Sequence, residues 1–389
     1  MSVQNFRPTR AEISGRALSR NTRRLHDAAG AGAALCAVVK ADGYGHGLVT
    51  AARAALAGGA SWLAVALVEE GIMLRDAGVD APVLVLSEPP EDAAPALVTA
   101  ALTPTVYRPE FLRALQRASR DRPQAVHVKF DTGMTRVGVA PALRDTMLAA
   151  LAAAPGIIVE GIQTHLARAD EPEDATTTTQ LERFAGCLTA VRDAGFSPRY
   201  VHVANTAATL VHSAAWRHVI ASGAPTAVPL VRTGIGLYGL SPGEQVPAAP
   251  YGLEPALRLV SAVSHVQRIA EGTPVSYGHR WAAPAHGWLA TVPIGYADGV
   301  PRALTGQVDV LHAGLRRPVV GTITMDQLLV WFGDSEPKVG EEIVLIGTSS
   351  TPDGAVDRIT MEDWASRLNT ITYEIATGIS ARVPRQVVD

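Results

Sequence analysis

Between about residues 33 and 239 the chain alternates short apolar segments with longer, alanine-rich amphipathic segments. Short apolar runs bounded by turn residues are typical of buried parallel strands, and apolar positions spaced three and four apart are typical of helices. We predict strands at 33–40, 61–67, 82–87, 102–106, 125–131, 157–164, 200–204 and 230–237. Helices are predicted between them, for example over 48–56, 109–119 and 179–194.

Eight strands that alternate with helices predict a (β/α)₈ TIM-type barrel of the α/β class, whose site residues follow the carboxyl ends of the strands. After a segment rich in proline and glycine near residue 250, β-branched runs and turn residues dominate. We therefore predict a barrel domain over 1–250 and a mainly-β C-terminal domain over 251–389, with which residues 1–10 can also pair. The β-branched runs are 257–269, 287–294 and 342–346, and one late helix is predicted over 357–370.

Composition excludes several classes of protein. With 389 residues, 47% of them hydrophobic and 18% charged, the chain can bury a large core. A net charge of -3 offers no basic surface for nucleic acid. The apolar stretch 54–68 is shorter than the ~20 residues of a membrane helix. The amino terminus has no apolar signal region, and the two cysteines, Cys36 and Cys187, form no CxxC pair. A cytoplasmic protein bound to neither nucleic acid nor membrane is expected.

The segment 35–47, LCAVVKADGYGHG, places Lys40 at the end of an apolar run and before a glycine-rich turn. A lone lysine after a strand is usually solvated, but apolar surroundings lower the pKa of an amine and make it a nucleophile. The loop 231–239, VRTGIGLYG, has closely spaced glycines whose N–H groups can bind phosphate. Together these features match the two attachments of pyridoxal 5'-phosphate (PLP), a Schiff base and an anion site.

Nine short motifs in this chain occur in the order found in alanine racemases. They are VKADGYGHG, KFDTGMTRVG, THLARAD, HVANTAA, VRTGIGLYGL, VSYGHRW, IGYADG, GTITMDQ and NTITYEI. The chain thus resembles the alanine racemase family over nearly its whole length. The resemblance implies a PLP-dependent isomerase that interconverts L- and D-alanine and supplies D-alanine for peptidoglycan.

The resemblance also assigns catalytic residues. It implies that Lys40 holds PLP and serves one face of the substrate carbon, and that Tyr277 is the base on the opposite face. In that family the tyrosine comes from the other subunit, so a homodimer with shared active sites is implied. Arg232 resembles the arginine that faces the pyridine nitrogen. Arg232 and His165 together resemble the hydrogen-bonded residues that lead toward the catalytic tyrosine in that family. The other implied cofactor contacts are Tyr44, Asn205, Thr206, Gly234, Ile235 and Tyr373.

For the substrate carboxylate the sequence favours Arg136, whose planar fork suits bidentate pairing, with the backbone N–H of Met325 as a second donor. Lys129 resembles a lysine that is carbamylated in many members; an ordinary buried salt bridge is the alternative. Residues that resemble the substrate entryway are Asp170, Tyr296, Asp298 and Arg302. No metal is expected, because the histidines lack metal-ligand spacing; these include His46, His202 and His279.

Three positions depart from the family pattern: Thr206 for serine, Thr324 for cysteine, and Arg168 for a smaller residue near the entrance. The last leaves substrate preference open, so a racemase for serine or for several amino acids is an alternative. Tyr277 argues against a barrel-type decarboxylase. A third alternative is a non-catalytic PLP-binding homeostasis protein, but those chains lack the β domain that the residues after Pro255 indicate.

Overall fold

The computed structural model describes residues 6–119 and 122–389. They form two compact units that are not contiguous in sequence. One unit contains 16–43 and 48–254, and the other contains the residues up to Gly15, Tyr44–Gly47 and Pro255–Asp389. Residues 1–5, which belong to the segment predicted to pair with the C-terminal domain, lie outside the described residues.

In the first unit, the described residues form a closed barrel of eight parallel strands, which confirms the predicted (β/α)₈ fold. The strands are Ala34–Val38, Trp62–Val65, Val83–Val85, Thr103–Val106, Gln124–Lys129, Ile157–Gln163, Tyr200–His202 and Val228–Thr233. The barrel closes where Cys36 lies opposite Arg232 on one side and Trp62 on the other. All eight predicted strands are present, and their ends differ from the prediction by up to four residues because short turns replace the last strand residues.

Helices connect the barrel strands, and the predicted helices over 48–56 and 109–119 are confirmed. In Pro109–Ser119 the buried side chains Phe111, Leu112 and Leu115 form the stripe expected of a helix that packs on a sheet. The helices are Gly15–Ala29, Leu48–Ala57, Val68–Asp76, Ala94–Thr99, Pro109–Ser119, Arg144–Ala152, Thr176–Asp193, Thr206–Val211 and Ser213–Gly223. The segment Lys40–Tyr44 is a single turn with left-handed dihedral angles. Over the described ranges, no helix has both the length and the apolar character needed to cross a bilayer.

The second unit is built on a sheet of ten strands within the described part of the chain. Arg10–Ile13 lies in this sheet, antiparallel to Leu257–Ala262 and parallel to Arg385–Val387. The other strands of the sheet are His265–Ile269, Gly287–Val292, Asp309–His312, Leu315–Val320, Leu328–Gly333, Glu342–Ser350 and Val356–Ile359. A separate two-stranded sheet pairs Pro274–Val275 with Trp281–Ala282.

The late helix predicted over 357–370 is confirmed over Met361–Leu368, but its predicted start is wrong. Val356–Ile359 is a strand, and the helix Met361–Leu368 begins only after Thr360. The Thr360 hydroxyl accepts a 3.0 Å hydrogen bond from the Asp363 N–H, and the Asp363 carboxylate accepts a 2.7 Å bond from the Thr360 N–H. This reciprocal capping fixes the helix start at that point. A further helix follows at Thr372–Gly378.

The apolar run 257–269 is also interrupted. It forms two strands, because the N–H of Val263 donates to Glu341 and the N–H of Ser264 donates to Thr291. The chain therefore changes hydrogen-bonding partners between the two strands, which a continuous β-branched pattern does not reveal.

Candidate active site

Lys40 lies two residues after the first barrel strand, at the start of a left-handed turn. The next four residues have positive φ: Ala41 53°, Asp42 52°, Gly43 61° and Tyr44 52°. Each non-glycine residue in this conformation costs roughly 1–2 kcal/mol. The Ala41 N–H donates to Glu70 at 2.6 Å, and the Asp42 carboxylate accepts from the Leu48 N–H at 2.7 Å. These bonds offset the strain and fix the backbone beside Lys40.

Four cationic side chains lie close together at the carboxyl ends of the barrel strands: Lys40, Lys129, Arg136 and Arg232. Lys40 is half-buried, and burial followed by the Arg136 charge lowers the pKa of its amine. Lys129 is buried, and burial with the charges of Arg232 and Arg136 lowers the pKa of its amine to about 7. The cluster therefore favours neutral amines and attracts an anionic ligand.

Arg136 is presented by a loop whose two ends are paired. The Val139 N–H donates to the Lys129 carbonyl at 2.7 Å, and the Asp131 N–H donates to the Val139 carbonyl at 3.0 Å. The Asp131 carboxylate accepts from the N–H of Thr135, which has φ 54°. This strained turn directly precedes Arg136, whose side chain is exposed.

Arg232 is 4% exposed and donates hydrogen bonds to neutral groups. Its guanidinium donates to the Thr164 carbonyl at 2.7 Å, to His165 Nδ1 at 3.2 Å and to His202 Nδ1 at 3.1 Å. Burial lowers the pKa of Arg232 to about 10, so it stays a cation at neutral pH. Burial and the Arg232 charge lower the pKa of His165 well below its usual value. His165 is therefore a neutral acceptor.

Thr206 and the glycine loop after the last barrel strand are in direct contact. The Thr206 hydroxyl accepts a 3.0 Å hydrogen bond from the Gly234 N–H. A Cβ on Gly236 would lie 2.7 Å from the Thr206 methyl group, so only glycine permits this approach. Ile235 begins a short 3₁₀ turn, Ile235–Tyr238, and is buried. The Thr206 hydroxyl and the backbone of Gly234–Gly236 therefore lie next to each other after the last barrel strand.

Asn205, predicted as a cofactor contact, caps the helix Thr206–Val211. Its side-chain oxygen accepts a 3.0 Å hydrogen bond from the Ala208 N–H. This contact alone accounts for an asparagine at the position, because asparagine is among the preferred N-cap residues.

In the C-terminal unit, Tyr277 has 74% of its surface exposed. Ser276, directly before it, has φ 64° and ψ −175°. The Ser276 hydroxyl donates to the Thr322 carbonyl at 2.7 Å, and the Thr322 hydroxyl donates to the Tyr277 carbonyl at 2.8 Å. Ser276 and Thr322 lie within the motifs VSYGHRW and GTITMDQ, but nothing in the linear sequence marks them as partners of the tyrosine backbone.

Tyr44 and Tyr373 pack against each other in the same unit. Their ring centroids are 6.0 Å apart, and burial raises the pKa of Tyr44. The Arg385 side chain donates to the Gly45 carbonyl at 2.9 Å, and a Cβ on Gly45 would lie 2.2 Å from the Ala376 carbonyl oxygen. The glycine after Tyr44 is therefore required for this packing.

Tyr296 and Met325 belong to one partly exposed surface of the C-terminal unit. The Tyr296 N–H donates to the Thr324 carbonyl and the Ala297 N–H donates to the Met325 carbonyl, both at 3.0 Å. The side chains of Tyr296 and Met325 are 41% and 51% exposed. The Thr324 hydroxyl donates to Gln327 at 2.9 Å, within its own turn.

Two residues associated with the entrance by sequence have structural partners. Asp298 is fully buried and accepts two hydrogen bonds from the Arg7 guanidinium, at 2.9 and 3.1 Å. Arg168 is exposed and forms ion pairs with Glu171 and, at 3.3 Å, with Asp174. Ion pairs within the chain therefore account for a charged residue at position 298 and at position 168.

Comparison with known proteins identifies the family. The profile described as "Alanine racemase, N-terminal domain" matches residues 13–242, and "Alanine racemase, C-terminal domain" matches residues 256–387. The chain is similar to the alanine racemase of Thermobifida fusca, with 42% identity over 98% of both chains. It is also similar to that of Symbiobacterium thermophilum, with 42% identity over 99% of this chain and 98% of the other.

Solved structures agree with the sequence relatives. The crystal structure of alanine racemase from E. faecalis has a TM-score of 0.86 and 38% identity, and the alignment covers 100% of both chains. That from Streptomyces lavendulae has a TM-score of 0.88 and 35% identity over 99% of this chain and 98% of the other. These matches confirm the resemblance found in the motifs, and the chain belongs to the alanine racemase family.

Proposed function

We propose that this protein is a PLP-dependent alanine racemase that interconverts L- and D-alanine with two bases. Relatives with 42% identity over nearly the whole chain support alanine racemisation, which makes the enzyme an isomerase. The half-buried Lys40 amine, whose pKa is lowered at the carboxyl end of the barrel, supports the cofactor assignment. When bound, PLP withdraws electrons from the α-carbon of the amino acid and so lets its α-proton leave.

The donor set of the barrel fits PLP. Lys40 offers a nucleophilic amine. The Thr206 hydroxyl accepts from the Gly234 N–H and so keeps its own proton to donate to a phosphate, which the backbone of Gly234 and Ile235 would flank. Arg232 stays protonated at neutral pH and would face the ring nitrogen as a donor, so that nitrogen would stay unprotonated and the electron withdrawal would be moderate. For the same phosphate we propose contacts from Asn205, Tyr44 and Tyr373, with His165 next to Arg232.

Arg136 binds the substrate carboxylate with its planar guanidinium, and the Met325 N–H adds a second donor. Tyr296 narrows the entrance and favours a substrate with a small side chain.

Lys129 positions Arg136. Because the pKa of its amine is about 7, a neutral amine is available to attack CO₂, form an N–C bond and lose a proton to solvent. Labelled bicarbonate would give a carbamate carbon signal that is lost in Lys129→Ala.

Lys40 and Tyr277 exchange the α-proton on opposite faces of the substrate carbon. Tyr277 is 74% exposed within its own chain, which suits a residue supplied to another copy. We therefore infer a homodimer in which each subunit completes the site of its partner. We also propose that the protein is cytoplasmic and supplies D-alanine for peptidoglycan.

Reductive trapping tests the lysine directly. The chain has only three lysines, Lys40, Lys129 and Lys338. Borohydride reduction of the holoenzyme followed by peptide mass spectrometry should place the pyridoxyl group on Lys40. Lys40→Ala should lose the visible absorbance of bound cofactor and nearly all turnover, whereas Lys338→Ala, which changes an exposed lysine, should keep both. A label on Lys129 or Lys338 would refute the assignment.

Substrate range is tested with each L-amino acid in deuterated water. Alanine should yield both enantiomers with α-deuterium. A rate with serine close to the rate with alanine would favour a racemase of broader specificity. Release of CO₂ in place of inversion would identify a decarboxylase. Cofactor binding without turnover would identify a homeostasis protein.

A further inference from the structure

A β-bulge within the barrel redirects Glu160. In the pairing between two neighbouring strands, Val126 lies opposite Val159 but His127 lies opposite Gly161, so Glu160 is the extra residue. An extra residue of this kind re-aims its side chain and is common next to functional sites. The partly exposed Glu160 carboxylate consequently lies at an ion-pair distance of 3.5 Å from His127 Nε2, a buried nitrogen that has no other hydrogen-bond partner among the described residues.

A continuous series of polar contacts leads from Glu160 to Arg232. His127 Nδ1 and His202 Nε2 are 2.8 Å apart, and His202 Nδ1 lies 3.1 Å from the Arg232 guanidinium. Arginine can only donate, so His202 Nδ1 accepts. A neutral His202 then carries its proton on Nε2 and donates to His127 Nδ1. His127 must carry its proton on Nε2, which faces Glu160.

Both imidazoles are held in this arrangement. His127 and His202 have no exposed surface, and burial lowers the pKa of both, which favours the neutral forms. A Cβ on Gly161 would lie 2.6 Å from the His127 ring, so the absence of a side chain there makes room for it. The Trp62 ring packs against His127 at a centroid distance of 5.1 Å.

Glu160 also lines a cleft of about 570 Å³ that Arg232 does not reach. Trp62 and Thr103, the first residues of their strands, line the same cleft. The series of contacts therefore runs from this cleft to Arg232, whose remaining polar partners are neutral.

We propose that Glu160 is a positioning residue for the racemase reaction: through His127 and His202, each held in one tautomer, it keeps Arg232 oriented as a donor and supplies a remote counter-charge to this buried cation. The inference rests on the proposed role of Arg232 opposite the ring nitrogen of the cofactor. A buried cation without a countercharge is costly, and a carboxylate relayed by two polarised imidazoles reduces that cost.

Glu160→Gln tests the charge because glutamine keeps the size and an acceptor oxygen. We expect kcat/KM to fall roughly 3- to 10-fold, with a shifted visible absorbance of the bound cofactor and an unchanged fold. Glu182→Gln removes an exposed carboxylate from a barrel helix and should leave both readouts unchanged. If Glu160 only fills space, Glu160→Gln will have the kcat/KM and the visible absorbance of the wild type, and the inference is wrong.

A second measurement needs no turnover. Long-range ¹H–¹⁵N spectra of the resting holoenzyme with ¹⁵N-labelled histidine should show His127 and His202 neutral and protonated on Nε2. His127→Gln and His202→Gln assign the signals. A proton on Nδ1 of His127, or a cationic ring, would overturn the inference even in an active racemase. The expected tautomers in a protein that does not racemise alanine would instead refute the proposed function and leave the contact series standing.

Discussion

Ser276 and Thr322 bind each other's backbone segments. The Ser276 hydroxyl donates to the Thr322 carbonyl at 2.7 Å, while the Thr322 hydroxyl donates to the carbonyl of Tyr277, the next residue after Ser276, at 2.8 Å. Ser276 has φ 64° and ψ −175°, a conformation otherwise used by glycine, which costs on the order of 1–3 kcal/mol. The two hydroxyls stabilise this conformation and orient the backbone that carries the exposed phenol.

Thr322→Val should remove the bond to the Tyr277 carbonyl while keeping the side-chain shape. We expect kcat to fall about 10-fold because the second base is less well positioned. The cofactor should remain bound. In deuterated water, one enantiomer of alanine should then exchange its α-proton faster than it inverts, because only one base is impaired. Thr348→Val, an exposed threonine of the same unit, is the control, and an unchanged ratio of exchange to inversion would contradict the role of Thr322.

Mixing two inactive variants should restore activity. Lys40→Ala removes one base and Tyr277→Phe the other, so each homodimer should be inactive while Tyr277→Phe still binds cofactor. In a mixed dimer, one of the two sites receives Lys40 from one chain and Tyr277 from the other. Activity should appear after the subunits have exchanged and should be absent before. Continued inactivity in verified mixed dimers would show that each site is complete within one chain.

Lys129 should make stability depend on pH. Its amine has a pKa of about 7 in the folded protein, compared with an ordinary value of 10.5. Between these values the unfolded chain binds more protons, so this group makes the free energy of unfolding rise with pH. Lys129→Met should therefore raise the unfolding midpoint more at pH ~7 than at pH ~9 in CO₂-free buffer. Lys338→Met should show no such difference, and an equal effect of Lys129→Met at both pH values would contradict the lowered pKa.

Asp298→Asn should destabilise the C-terminal unit. Asp298 is fully buried, binds Arg7 through both carboxylate oxygens and accepts a 3.1 Å bond from the Gly295 N–H. Asparagine has no charge and only one acceptor oxygen, so the ion pair and one Arg7 hydrogen bond are lost, and we expect a loss of about 1–3 kcal/mol in denaturant unfolding. Asp326→Asn, which alters an exposed ion pair with Arg382, should change stability by less than ~1 kcal/mol. Equal effects of the two substitutions would argue against a structural role for Asp298.

The order of strands and helices in the barrel could be predicted because each strand is a local apolar run that must be buried on both faces. The apolar runs also predicted that Lys40 lies at the end of the first barrel strand and Arg232 within the last barrel strand. The helix predicted over 357–370 begins later than predicted, because Val356–Ile359 pairs with Glu342–Ser350, residues that precede it in a hairpin. Strand pairing of this kind overrides helix propensity.

The sequence by itself determined the fold class, the family and the reactive residue types, because hydrophobic periodicity and motif order are properties of the linear chain. Only the tertiary structure decided which polar groups share a buried environment. The lowered pKa values of Lys40 and Lys129 arise from burial and from cations distant in sequence. Glu160 reaches His127 through a bulge that no local pattern marks. Desolvation and charge depend on distance in space, which the linear order of residues does not contain.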